Sequence, residues 1–426
     1  MGSAMVKSRK SGPVGLVMLG LCCACARAEI TYVKEFNTII VANYPESGPA
    51  TLADILAADR NGGWGKVSYD QETDSYKITT DLQVGTEASY STCFQVGSKS
   101  HRRETLILAG YLMVKKSKIG FVNQLQIGDE SDPEITPFLK FACEPDKHYG
   151  MKQDVFARGF NRPIFRMYHT RVSPTIEDAD HLMGYLTPNY LRLIWKDCDI
   201  SWTMGGIVET IGYPSLVERL KLSHGDIGVR FQSPASLTIR DCVVSGFKRG
   251  AASFGTGSHS LSGFEFKNNE IDISLPHGEQ VVLVNCWISG KNNYLRGWRG
   301  KNASITYKRY LILKVVDTEG NLLKDVLVDV KNEVPDGPAP ENGRSITDKE
   351  GLTPEASSGN AITVVDCVDE GLGSTKDSGG EYKTISYTYA VKLAAEGYRD
   401  AAIRGINPDN SWYGKEVTLT MKMREK

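Results

Sequence analysis

The chain has 426 residues, enough for two or three domains with substantial cores. Its 50 basic and 51 acidic side chains leave a net charge of −1 and are spread along the chain, which excludes the concentrated basic surface of a nucleic-acid-binding protein. Forty-two glycines and nineteen tyrosines, with few long helical periodicities, point to β structure.

Residues 1–28 read as an export signal. Lys7, Arg9 and Lys10 supply a basic flank, "GPVGLVMLGLCCACA" an apolar stretch, and Ala26-Arg27-Ala28 a small-x-small cleavage pattern, so the mature chain is expected to begin near Glu29. The apolar stretch is short for a bilayer span, so no transmembrane segment is expected. The competing readings are a buried core strand and a lipoprotein using Cys22, Cys23 or Cys25, none of which follows a good lipobox. The expectation is a secreted or cell-envelope protein. Six cysteines remain after cleavage: Cys93, Cys143, Cys198, Cys242, Cys286 and Cys367. An exported protein could pair them, and none of the six forms the C-x-x-C pair of a structural zinc site.

Residues 29–65 read as an N-terminal cap. Thr51 can cap a short helix, "TLADILAAD", with Leu52, Ile55 and Leu56 on one face, and the "NGG" at 61–63 stops it. From 66 to 145 the text is strand-like: "YKITTDLQVG", "ETLILAGYLMVK", "NQLQIGD" and "PFLKFAC" alternate and end at turn residues. Residues 146–190, with Pro163, Pro174 and Pro188, read as loops of the same domain, able to form one wall of a cleft.

A repeat starts at 191. Cys198, Cys242 and Cys286 are evenly spaced, since 242 − 198 = 44 and 286 − 242 = 44, and each follows an Asp or Asn. Apolar alternation gives the inward pairs Leu193/Trp195, Leu220/Leu222, Leu237/Ile239, Phe264/Phe266 and Val281/Leu283. A polar bend residue follows each pair: Asp197, His224, Asp241, Asn268 and Asn285, at intervals of 27, 17, 27 and 17. Short strands recurring at this spacing indicate a solenoid, whose coils bury their apolar faces only by stacking. The three cysteines are then an inward column of small apolar side chains.

The strand-turn-strand pattern L-x-I-x-[DN]-C resembles the right-handed parallel β-helix of the pectate-lyase-like architecture, over roughly 66–305. A second module follows at 306–426. Its matched positions are Asp317, Gly320, Val326, Val328, Thr347, Asp348, Gly351, Gly397 and Tyr398, in the order V-x-D-x-x-G, T-D-x-x-G and A-x-G-Y. It resembles the carboxypeptidase regulatory-like domain, and all of these are turn or core positions. The expected fold is therefore all-β: a parallel β-helix solenoid followed by a small Ig-like or transthyretin-like β-sandwich. The loop 369–381 reads as an insertion.

Outward residues beside the polar bends form two stripes. Lys196, Ser223, Arg240, Lys267 and Val284 precede the bend; Asp199, Asp226, Val243, Glu270 and Trp287 follow it. The resemblance implies a carbohydrate-directed activity and a polysaccharide or cell-surface glycan as partner. A β-eliminating lyase needs a base, a charge neutraliser and a sugar platform. In that reading Arg240, Lys267 and Lys196 are the catalytic candidates, Trp287 and Glu270 hold substrate, and Asp199 and Asp226 bind a calcium ion. In the bland reading the stripes simply pair across a solvated sheet. No N-x-D…D-D…H-G cluster of the polygalacturonase type is present; "SHGDIG" (223–228) is the nearest fragment. That favours lyase over glycoside hydrolase, and gives His224 a structural place in the bend column. His259 and His277 read as exposed loop residues. "KRGAASFGTGSHS" (248–260) precedes no helix and is no phosphate loop, and "NAS" at 302 matches a glycosylation sequon. The alternative function is a non-catalytic surface or adhesion protein with the solenoid as rigid scaffold. Oligomeric state is left open.

Overall fold

The computed structural model describes residues 29–424 apart from 43–47, 87–91, 116, 118–121, 154–162, 185, 187–191, 210–214, 232–236, 255–257, 289–291, 297–301, 356–358, 373–381 and 408–416. The expected export segment and most of the loop at 369–381 lie outside the described residues.

Short strands with alternating burial pair in parallel with the strand one coil later, and the chain visits three faces in a fixed order. Face one runs through Ser75–Ile78, Thr105–Leu108, Phe138–Phe141, Arg171–Pro174 and Asp199–Thr203. It continues through the first halves of Lys221–Phe231 and Val243–Ser253, then Glu265–Lys267 and Trp287–Ile288. Face two carries Asp81–Val84, Leu112–Val114, Met151–Gln153, Ile207–Glu209, the second halves of those two long strands, Ile271–Leu275 and Tyr294–Leu295. Face three runs from Cys93–Val96 through Arg192–Lys196, Ser215–Glu218, Leu237–Arg240, Ser258–Ser262 and Gln280–Val284 to Ser304–Asp317. This is a three-sided parallel β-helix, in agreement with the expected solenoid.

The coil length corrects the spacing read from the sequence. Asp199, Lys221, Val243, Glu265 and Trp287 pair in succession, so four consecutive coils are each 22 residues long. The 44-residue interval is two coils. The intervals of 27 and 17 arose because two different corners were merged. The corner from face three to face one is Asp197, Arg219, Asp241, Gly263 and Asn285, with φ between 52° and 67°. The corner from face one to face two is Trp202, His224, Gly246 and Asn268, with φ between 53° and 70°. A single left-handed residue breaks the pleat and turns the strand onto the next face. His224 and Asn268 therefore do not share a column with Asp197, Asp241 and Asn285.

The core fills the inside of the coils. The inward pairs are buried where their side chains are described, but they alternate between face three (Leu193/Trp195, Val281/Leu283) and face one (Leu220/Leu222, Phe264/Phe266). Cys198, Leu220, Cys242, Phe264 and Cys286 form one buried column. Its cysteines are two coils apart, about 9–10 Å, beyond the Cα separation a disulfide can span, and all three are free thiols. Asn269 satisfies the backbone inside a corner: its Oδ1 accepts from Phe247 N at 3.0 Å, and its Nδ2 donates to Val244 O at 3.1 Å and Asp272 Oδ1 at 3.0 Å.

The short helix expected after Thr51 forms as its residues dictate. Helix Leu52–Gly62 starts at Thr51, whose hydroxyl accepts from Asp54 N while the Asp54 carboxylate accepts from Thr51 N, and stops at left-handed Gly63. Leu52, Ile55 and Leu56 enter the main core. Residues 146–190 are not only loop: Met151–Gln153, Ile164–Tyr168 and Arg171–Pro174 are strands of faces two, three and one. Proline is tolerated there because Pro174 ends its strand.

Strand Ser304–Asp317 crosses the expected boundary at 305. Its first residues pair in parallel with Gln280–Val284, its last with Val417–Met423, and Ile362–Gly371 runs antiparallel beside it. Leu311, Leu313 and Val315 from this strand face a second core, closed by Val328 and Val330, Val391 and Leu393 of a four-stranded antiparallel sheet. Asp317 and Asp348 act as turn residues. Asp317 Oδ1 accepts from Glu319 and Asn321 backbone N–H, and Asp348 Oδ1 from Glu350 and Leu352.

Candidate functional site

The structure divides the candidate residues. Lys196, Glu218 and Arg240 stand in one outward row on face three, in successive coils. Glu218 is the hub. It is nearly buried and takes Arg240 at 2.6 Å, Arg219 at 2.8 Å and Lys196 at 3.4 Å; Lys196 also reaches Glu130 at 2.8 Å. Arg219 binds Asp197 through two parallel hydrogen bonds, 2.7 and 2.8 Å. Burial raises the Glu218 carboxyl, but the Arg240 and Arg219 hydrogen bonds outweigh it and hold it below the usual range. The hydrogen bond from Lys196 to Glu130 raises the lysine. Lys196 and Arg240 are thus committed to a charge ladder, and Arg240 does not share a row with Lys267.

Lys267 lies on face one, ion-paired to Glu265 and 5.8 Å from the centre of the Trp287 ring. Asp199 stands beside Lys221 at 3.8 Å, and Asp226 pairs with Lys248 at 2.9 Å. Asp199 is at the start of a face-one strand and Asp226 beyond the second corner, so the two do not converge. Among the described residues no three His, Cys, Asp or Glu side chains gather as a metal-holding group. Neither stripe exists as it was read, because each mixed rows from the two corners.

Two of the sequence candidates do meet, with partners that the stripes omitted. Asp226, Lys248 and Glu270 follow the second corner in three successive coils, beside Trp202, His224, Gly246 and Asn268 at the corner itself. These residues line an open groove of about 300 Å³, and Ala179 and Leu182 from the 146–190 region supply the wall. His224 stacks on Trp202, with ring centroids 4.7 Å apart and planes 15° from parallel. The Asp226 hydrogen bond raises the Lys248 ammonium, which keeps it charged. The groove therefore offers a flat aromatic platform, an imidazole, two carboxylates, an ammonium and a carboxamide. That set can stack on a ring, bond hydroxyls and meet an anionic group. His259, expected in an exposed loop, is 4% exposed and sits in the strand Ser258–Ser262. Trp202, Gly246, Lys248 and Leu182 were missed; the signal was the 22-residue interval from 202 to 224, 246 and 268.

No family model matches this chain, and no curated protein is similar to it. Among solved structures the chain is similar to the periplasmic alginate epimerase AlgG at 12% identity and a TM-score of 0.28, covering 73% of this chain and 93% of that one. It is similar also to a point mutant of AlgG at 13% identity and a TM-score of 0.30, covering 71% of this chain and 88% of that one. The parallel β-helix is read from the strand registers above.

Proposed function

We propose that this protein binds or cleaves a polysaccharide outside the cytoplasm, in the groove at the corner between faces one and two. One observation supports this most: the stacked Trp202–His224 pair lies beside a row of alternating charge, Asp226, Lys248 and Glu270, in one groove. An aromatic platform holds the apolar face of a sugar, and the charged row bonds its hydroxyls. If the groove is catalytic, β-elimination on a uronate fits it better than the charge ladder on face three does. The His224 imidazole takes the C5 proton next to the carboxylate, the Lys248 ammonium balances the charge that develops there, and the C4–O4 bond breaks as the C4=C5 double bond forms, with water protonating the leaving oxygen. The expected calcium ion enters as a question for the assay. The C-terminal unit, 306–426, is proposed as a carboxypeptidase regulatory-like sandwich that carries no part of the chemistry.

The test is incubation of residues 29–426 with acidic and neutral polysaccharides, alginate and polygalacturonate included, with calcium and with chelator. Ultraviolet absorbance from unsaturated ends supports a lyase, and its loss on chelation makes a metal part of it. New reducing ends without absorbance mean hydrolysis. Retention without turnover means a binding protein, and neither retention nor turnover favours the scaffold.

A further inference from the structure

The second corner carries Trp202, His224, Gly246 and Asn268 in four successive coils, one above the next along the solenoid. Trp202 and His224 stack. The next position has no side chain. A Cβ built on Gly246 would lie 3.2 Å from His224 Cδ2 and 3.5 Å from Nε2, so anything occupying that level would rest on the imidazole face turned away from Trp202.

The backbone does not require this glycine. Gly246 has φ 70°, but Trp202, His224 and Asn268 hold φ 59°, 59° and 53° at the same corner with full side chains. What glycine changes here is the space beside the ring. From the His224 level to the Asn268 level is two coils, about 9–10 Å. One ring with van der Waals contact of about 3.5–4 Å on each face fits that gap. Asp226, Lys248 and Glu270 run along its edge, one per coil, and the gap opens into the groove.

We infer that Gly246 leaves a one-ring slot, in which a single pyranose of the glycan stacks between the His224 imidazole and the Asn268 carboxamide. The slot rests on the glycan-binding reading and deepens it. The seated ring lies across the solenoid axis, so the glycan crosses the corner and does not run along the coils. Lys248, level with the ring, meets a uronate carboxylate, and Asp226 and Glu270 take the neighbouring hydroxyls. A sugar with a bulky axial substituent on either face is excluded.

The test is Gly246→Asn, which places at this level the residue that the next coil already holds at φ 53°. Circular dichroism and a thermal melt establish that the variant folds. Calorimetric titration with mannuronate oligosaccharides of alginate, whose rings are joined through equatorial bonds, then compares it with the native chain, and polygalacturonate oligosaccharides, joined through axial bonds, serve as the series that the slot excludes. The expected result is a loss of at least about tenfold in affinity. Native binding should stop strengthening after the first few sugar units. If the native chain binds and Gly246→Asn binds equally well, the slot is overturned while the groove keeps its role. If Gly246→Asn fails to fold, Asn268→Ala replaces it, since Asn268 is exposed; unchanged affinity there overturns the slot as well. If the native chain retains neither oligosaccharide series, the slot and the glycan reading fall together.

Discussion

Glu218 Oε2 accepts from Arg240 Nη2 at 2.6 Å across one full coil, and the same carboxylate holds Arg219 and Lys196. The cations are part of a ladder and are turned away from the groove. Arg240→Ala and Lys196→Ala are therefore expected to leave glycan binding and any turnover unchanged. Because these cations are partly exposed, each should cost less than about 1 kcal/mol of stability, read by urea unfolding. Loss of turnover in a folded Arg240→Ala would return the chemistry to face three.

Glu218→Gln should cost more, about 1–3 kcal/mol, because it removes the charge that three cations share and replaces one of its two nearly buried acceptor oxygens by an amide donor. The sign of its pH dependence follows from its lowered pKa. The stabilisation is present above the unfolded carboxylate value and is lost as pH falls through the folded one. Thermal melts of the native chain should drop more steeply on acidification than those of Glu218→Gln. Parallel curves for the two would show that the ladder carries no linkage.

Trp202→Ala removes the platform under His224. The pair is worth about 0.5–1.5 kcal/mol beyond its buried area, so urea unfolding should show a stability loss of about that size, and glycan affinity should fall because the imidazole face is no longer held in place. Lys248→Ala should weaken binding of acidic oligosaccharides and spare neutral ones. Equal losses for both classes would mean that Lys248 does not read the carboxylate.

Cys198, Cys242 and Cys286 should be silent to alkylating reagents in the folded protein. Burial pushes each thiol up to about 12, so almost no thiolate is present at neutral pH. Mass spectrometry after labelling at pH 8 should find the three unmodified, and all three modified in denaturant. Labelling of the native column would mean that the coils open locally.

Asn269→Ala leaves the Phe247 N–H and the Asp272 carboxylate each short of a bond inside the corner. A loss of about 1–3 kcal/mol is expected, without change in glycan specificity. Chemical denaturation measures the first and calorimetric titration the second.

The solenoid was legible because cysteine recurs in alternate coils, giving 44 residues between equal positions. The coils between carry Leu220 and Phe264 in the same inward column, so composition hid the 22-residue period. The corners were misread for a physical reason. Asp and Asn are the residues expected at a left-handed position, and Arg219 and Trp202 hold it because the pairing on both sides over-determines the turn. Counting Asp and Asn therefore joined Asp197 and Asn285 to His224 and Asn268. The same merger placed Lys196 and Lys267 in one stripe. Asp226 and Glu270 kept their mutual row because 270 − 226 = 44. The helix was legible from Thr51 and the stop at 61–63, local signals that need no tertiary context, although it runs three residues beyond the stretch read, to Gly62.

The strand Ser304–Asp317 belongs at one end to the solenoid and at the other to the C-terminal unit. Fourteen residues of extended chain reach about 46 Å, with no linker between the two attachments. A pull on the C-terminal unit thus arrives at the coils as shear along a hydrogen-bonded ladder, where a flexible joint would have absorbed it. The same continuity makes the strand a stopper. Cutting the chain at 305 would strip the ladder partner from Gln280–Val284 and leave a raw edge open to another copy.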